Sequence, residues 1–288
     1  MDASDVQRAV VAAMSIASAL GLAVDDAVVL HNSNKLAVRL LPCDAVARVA
    51  PLAQQVARFE VELGWRLAEA GSPVAALEPR AGPRVYERDG FVVTLWTYYA
   101  SVTPGVAPAD YAKALGRLHA GMRTLDVTTP HFMDRVAEAE ALVASPGQTP
   151  GLAEADRAFL GSLLERLSRT ITERGNAEQL LHGEPHPGNV ISTMSGPVFI
   201  DLETCCRGPI EFDLAHMPEA VTPHYPGVDP DLLAECRCLV LAMVAAWRWD
   251  AGDQFPNGLR VGHELISTLR RGPPWPSLDV MMRSLASS

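Results

Sequence analysis

No stretch of the 288-residue sequence reaches the roughly 18 consecutive apolar residues that a membrane span needs. The run 239–247 is closed by Arg248. The segment 9–24 ends near an Ala17-Ser18-Ala19 that imitates a processing site, but Asp2 and Asp5 outnumber Arg8 ahead of it, where a secretion signal carries positive charge. Val6, Val10, Met14 and Ala17 fall at helical spacing, so the segment reads as an amphipathic helix, and the chain is expected to be cytoplasmic with no membrane partner. Cysteine is scarce. Cys43, Cys205, Cys206, Cys236 and Cys238 are odd in number and share no repeated spacing, which argues against a disulfide framework. The gaps within Cys205-Cys206 and Cys236-x-Cys238 are also shorter than the two to four residues usual between zinc ligands, so buried thiols are the better reading. Basic charge is short as well: 24 Lys and Arg stand against 34 Asp and Glu, a net charge of -10. A dedicated nucleic-acid binder carries the opposite sign. There is no internal repeat and no low-complexity tail.

What is present is ordinary globular composition, 48% hydrophobic and 20% charged, which rules out disorder over most of the length. Strand-sized runs at 26–30, 36–41 and 45–50 are separated by His31-Asn32-Ser33-Asn34 and Pro42-Cys43-Asp44, both turn-forming. A helix is predicted over 54–70, with Val56, Phe59, Leu63 and Leu67 on one face, and strands over 84–87 and 91–97 around an Arg88-Asp89-Gly90 turn. From Pro108 the pattern is helical: 109–122, 130–144 with Thr129 as cap, 152–173, 231–249 and 263–270. One non-helical island, 180–209, interrupts it and holds two short apolar runs, 190–192 and 197–200. The expected fold class is α+β, a small antiparallel β lobe over 1–97 followed by a larger, mainly helical lobe over 98–288.

The island carries the chemistry. It reads His182-Gly183-Glu184-Pro185-His186-Pro187-Gly188-Asn189, then Phe199-Ile200-Asp201-Leu202-Glu203. A carboxylate five positions before an amide, with a second carboxylate twelve further on at the end of an apolar run, suits phosphoryl transfer. A hydroxyl acceptor needs a carboxylate to orient it and take its proton, and nucleotide phosphates need Mg²⁺ held by an amide oxygen and a carboxylate. Glu184 is the candidate base, and Asn189 and Asp201 are the candidate metal ligands.

These segments resemble the catalytic loop of the aminoglycoside phosphotransferase and choline kinase family, His-Gly-Asp-x-x-x-x-Asn followed by Ile-Asp-x-Glu/Asp. The run Gly208-Pro209-Ile210-Glu211-Phe212-Asp213-Leu214-Ala215 is similar to that family's Gly-Pro...Asp-Leu-Ala stretch. The resemblance extends more weakly through Leu115-Gly116-Arg117-Leu118-His119 and covers most of the chain. It implies a bilobal kinase-like fold, ATP or GTP with Mg²⁺, and a small-molecule acceptor, with antibiotic resistance as one outcome. It also implies that His182 is the loop's structural histidine, Asp213 its brace and Glu203 a second acid. Three departures stand out. The usual catalytic aspartate is Glu184, the usual strand lysine is Arg48 with Glu60 as its implied partner, and no Gly-rich loop exists, which leaves Ser33 and Asn34 to cover the phosphates.

Other residues keep two readings. Trp96, Tyr98 and Tyr99 fall at the expected hinge, as an adenine platform or as core. Glu211, Asp229, Trp247 and Asp250 either line an acceptor pocket or serve helix packing. Lys35 reads as an exposed edge charge ahead of a phosphate contact, and His186 as a bystander. The function expected is an ATP-dependent O-phosphotransferase acting on a polar hydroxyl compound such as an amino sugar or aminoglycoside. The alternative is a kinase-like nucleotide-binding pseudoenzyme or interaction protein, since fold alone does not establish activity.

Overall fold

The computed structural model describes residues 1–33, 35–52, 56–103, 105–174 and 177–286. In chain order its elements are α1 (Ala3–Ala19), β1 (Val24–Asn32), β2 (Leu36–Pro42), β3 (Ala45–Pro51), α2 (Ala57–Glu69), β4 (Tyr86–Arg88) and β5 (Phe91–Thr97). There follow α3 (Pro108–Met122), α4 (Phe132–Ala144), α5 (Glu154–Glu173), β6 (Gln179–Leu181), β7 (Val190–Thr193), β8 (Gly196–Phe199) and β9 (Cys206–Gly208). The chain closes with α6 (Ile210–His216), α7 (Pro230–Trp247), α8 (Gly258–Arg271) and α9 (Leu278–Ala286). Residues 1–106 with 191–203 form one compact unit, and 107–190 with 204–288 a second.

The first unit is built on a five-stranded antiparallel sheet in the order β1-β2-β3-β5-β4. Its strands alternate with period two. Leu36, Val38 and Leu40 on β2, Ala47 and Val49 on β3, and Val93 and Leu95 on β5 form a core with α1, whose buried stripe of Ala9, Ala12, Ala13, Ile16 and Ala17 is mostly alanine. The opposite parity, Val46 and Arg48 on β3 and Trp96 on β5, meets α2. The β4–β5 hairpin turns through Asp89 and Gly90, both at positive φ, as a two-residue turn between right-twisted strands requires. Returning from far along the chain, β8 attaches to this unit where the Ala75 amide donates to the Phe199 carbonyl and the Phe199 amide to that of Pro73.

The second unit packs around α7, which is buried on almost every side and contacts α4, α5, α6 and α8. Cys236 and Cys238 lie inside this helix, and Cys205 and Cys206 are buried too, all as free thiols. Two expectations need correction. Helix α4 starts at Phe132 with His131 as its cap in a capping box with Asp134, not at Pro130 behind Thr129. And α6, α9 and the β6–β9 pair arise where no element was predicted. Among the described residues no helix is long and apolar enough to cross a membrane.

Candidate active site

In the first unit the site grows from two buried positions occupied by charge. On β3 the parity that sends Ala45, Ala47 and Val49 inward turns Arg48 to the opposite face. On α2, Glu60 sits in the buried stripe between Ala57 and Leu63, only 1% exposed. A carboxylate there must be paired. Glu60 accepts from the Arg48 guanidinium, from the Lys35 ammonium (3.2 Å) and from the Leu202 amide (3.3 Å). Arg48 also reaches Asp201 (2.7 Å), and Lys35 pairs with Glu203. Lys35 is therefore no exposed edge charge: its side chain is 10% accessible and held by two acids.

Asp201 follows β8 at φ 65°, an uncommon conformation for a non-glycine residue that re-aims its carboxylate at Arg48. One ligand oxygen each from Glu60, Asp201 and Glu203 lies within 4.8 Å of the others. Hard divalent cations choose such all-oxygen sets, at metal–oxygen distances of roughly 2.0–2.6 Å. Burial lowers the affinity of Arg48 for its proton, but the charges of Glu60 and Asp201 and the bond to Asp201 outweigh this and hold it above its usual range. Burial and the Asp201 charge push the Glu203 carboxyl up, with Lys35 opposing them.

Trp96 is buried, donates its indole N–H to Thr94 Oγ1 (2.9 Å) and packs so tightly on Gly64 that a Cβ there would lie 2.9 Å from its ring. The Tyr98 ring stacks under the Arg39 guanidinium at 3.9 Å, and Tyr99 accepts the Ala76 amide. Ser33 sits exposed in the turn between β1 and β2, and Asn34 lies outside the described residues.

In the second unit the loop 182–189 is fastened from beneath. The Asp213 carboxylate, fully buried on α6, accepts the amides of His182 (2.9 Å) and Gly183 (2.8 Å). It also meets His119 Nε2 (2.9 Å), whose other ring nitrogen meets Tyr225 (2.6 Å). Burial alone would raise the Asp213 carboxyl, but the His119 bond and charge hold it below the usual range. Gly183, at φ 88°, admits no side chain, since a Cβ would stand 2.0 Å from the Thr204 carbonyl oxygen. The loop thus presents Glu184, which Arg135 of α4 grips through one nitrogen while another approaches the Gly183 carbonyl (3.5 Å). The Arg135 guanidinium lies 5.1 Å from the Trp247 ring centroid. Burial works to raise the Glu184 carboxyl, but Arg135 prevails and keeps it low and ionised. Asn189 donates its amide to the Glu184 carbonyl (3.0 Å), and His186 caps the short turn by accepting the Gly188 amide.

Of the four candidate acceptor residues, Trp247 alone stands beside the Glu184–Arg135 pair. Glu211 is buried and accepts the Asp229 amide (2.9 Å), Asp229 caps α7 and pairs with Arg174, and Asp250 accepts the Gly252 amide at an exposed turn. Arg135 and Tyr225 went unforeseen, since a lone arginine on a helix reads as solvated surface. Lys35 had a signal: it shares the parity of Ala37, whose cross-strand partner is Arg48.

Close to this loop, His216 is buried beside Phe212, and neither ring nitrogen has a hydrogen-bond partner among the described residues. Burial pushes its pKa down to about 4, with Glu184 opposing. A histidine whose folded pKa is lowered binds its proton first in the unfolded chain, so stability falls as pH drops from about 6.5 to about 4. Chemical denaturation across that window should show a loss of roughly 3 kcal/mol that His216→Phe removes; an unchanged pH slope in the variant would contradict the assignment.

A model of the phosphotransferase enzyme family matches residues 30–235, well over half of the chain. The chain belongs to that family. Membership of the phosphotransferase family carries the coarse activity, small-molecule phosphoryl transfer from a nucleotide with a divalent metal. Solved phosphotransferase-like structures share its fold, a five-stranded antiparallel sheet followed by a mainly helical part, as in protein kinases. An amicoumacin kinase in complex with AMP-PNP, Ca²⁺ and Ami superposes with a TM-score of 0.71 at 11% identity, over 97% of this chain and 100% of that one. The GDP complex of aminoglycoside 2'-phosphotransferase-IIIa gives 0.67 at 14%, over 90% and 96%. A choline kinase from Streptococcus pneumoniae gives 0.64 at 16%, over 89% and 96%. No curated protein sequence matches.

Proposed function

We propose that this phosphotransferase moves the γ-phosphoryl group of ATP or GTP to a hydroxyl of a polar small molecule, of the amino sugar or aminoglycoside kind, with Glu184 as base. The observation that carries the reading is the oxygen cluster of Glu60, Asp201 and Glu203 with Arg48 bound into it. Nucleotide binding is assigned to the β-rich N-terminal part, 1–97, and catalysis with acceptor binding to 98–288. Glu184 orients the acceptor hydroxyl and takes its proton as the oxygen attacks phosphorus; Arg135 favours its ionised form. Arg48, tethered by Glu60, grips phosphate oxygens. Asn189, Asp201 and the second acid Glu203 are the residues that would hold Mg²⁺, which when bound neutralises charge on the transferring group. Asp213 and His182 keep the loop in shape. Ser33, Asn34, Trp96 and Tyr98 remain nucleotide-side candidates, and Glu211, Asp229, Trp247 and Asp250 acceptor-side ones. Antibiotic resistance follows only if an antibiotic is the acceptor.

A pseudoenzyme is favoured by one observation, the engagement of Glu184 by Arg135. A coupled ADP-release screen over aminoglycosides, amino alcohols and sugars, with product mass, decides between them. The expected result is acceptor-dependent ADP release, a product heavier by one phosphoryl group, and Mg²⁺-dependent thermal stabilisation by ATP. Stabilisation without turnover on any acceptor would favour the pseudoenzyme, and the absence of both stabilisation and turnover would overturn the nucleotide reading itself.

A further inference from the structure

We propose that Lys35 is a second phosphate-binding cation, and that Lys35 and Arg48 exchange carboxylates for phosphate oxygens when nucleotide binds, so that nucleotide and divalent cation bind with strong positive coupling. The inference rests on the reading of Asp201 as a metal-binding residue. Its basis is the partner list. Lys35 is one of only two lysines in the chain, the other being Lys113, and it is held beneath the surface by Glu60 and Glu203. Arg48 is held by Glu60 and Asp201. The two cations therefore share one anchoring acid, Glu60, and each also neutralises one further acid, Glu203 or Asp201, that belongs to the same oxygen cluster. Lys35 leads directly from the turn between β1 and β2 into β2, on the face that bears Arg48.

Three carboxylates against two cations leave the cluster with a single negative charge. A metal ion entering alone would sit beside two fixed cations competing for the same oxygens. A polyphosphate entering alone would add negative charge to a site already negative. Entering together, phosphate oxygens take over the ammonium and guanidinium while the freed oxygens of Asp201 and Glu203 face the metal, and every charge keeps an opposite neighbour. Glu60, bonded to both cations and to the Leu202 amide, has no need to move. Such coupling is reciprocal, each ligand strengthening the other by the same factor.

The test is binding to the full chain, with calorimetry for AMP-PNP and for adenosine and electron spin resonance for Mn²⁺. In the unaltered protein AMP-PNP should tighten Mn²⁺ by about 5- to 150-fold beyond its chelation of Mn²⁺ in protein-free buffer. Lys35→Met should weaken AMP-PNP with Mn²⁺ by about 10- to 100-fold, the loss expected for a charge-assisted bond. It should leave adenosine within about twofold and tighten Mn²⁺ alone, because Glu203 loses its counter-cation. A lysine needed only for the fold would weaken AMP-PNP and adenosine alike. Equal weakening of AMP-PNP and adenosine, or unchanged AMP-PNP affinity, would overturn the proposal. If Lys35→Met does not fold, Glu203→Gln serves in its place: freeing Lys35 should strengthen AMP-PNP binding without metal, and no gain would count against the exchange. If the unaltered protein binds neither nucleotide nor Mn²⁺, the phosphotransferase reading fails first.

Discussion

Exchanging Glu184 for glutamine is expected to lower phosphoryl transfer about 100- to 10,000-fold while nucleotide affinity stays within a few-fold. The amide can still accept a hydrogen bond from the hydroxyl, but it cannot take the proton. Folding should survive, because the loop hangs from main-chain groups: the His182 and Gly183 amides on Asp213, and the Glu184 carbonyl accepting from Asn189. The Arg135 guanidinium keeps Trp247 beneath it and the Gly183 carbonyl in reach. The pH profile gives a second check. Arg135 holds the Glu184 carboxyl below its ordinary 4.5, so the acid limb of kcat/KM should lie below that value in the unaltered enzyme. In Arg135→Gln burial acts unopposed by that charge and the limb should move up. Turnover near the original rate in Glu184→Gln, with circular dichroism unchanged, would remove Glu184 from the mechanism.

Replacing Asp201 by asparagine should also be severe, roughly 100- to 1,000-fold in kcat with a raised Mg²⁺ requirement. The substitution keeps shape and removes charge at one of the two acids, with Glu60, that both join the oxygen cluster and bind Arg48. Since Arg48 retains Glu60, its position should persist, and adenosine binding serves as the control for folding. Saturation by excess Mg²⁺ to full activity would show only weakened metal affinity; a loss that no Mg²⁺ concentration restores is the expected outcome. Activity and Mg²⁺ dependence both unchanged would exclude Asp201 as a ligand.

The fold was legible wherever side-chain period and turn chemistry agreed. Period two in 36–41 and 45–50, with Gly90 between 84–87 and 91–97, predicts the meander, and β5 occupies 91–97 as read. The apolar stripe of α7 is continuous enough that its ends differ by two residues at most. The short helix α6 escaped because seven residues carry too little periodicity, and its acids read as motif rather than helix. The charge network was half legible. Arg48 and Glu60 stand in strongly patterned elements, so a charge there signals a partner. Lys35 stands one residue outside its strand, where burial depends on acids 25 and 168 positions away in sequence, Glu60 and Glu203. Arg135 carries no local sign of its task, since what it touches is decided by where α4 packs.

The five-member charge network in the first unit also weighs on stability. Buried ion pairs are costly to desolvate, and apolar residues of similar volume commonly serve stability as well or better. Strain of the kind seen at Asp201 adds to that burden. Single changes at Lys35, Arg48, Glu60, Asp201 or Glu203 would each leave a charge short of a partner. Paired apolar replacements there should give a sturdier molecule that has lost the charges AMP-PNP and Mn²⁺ would meet.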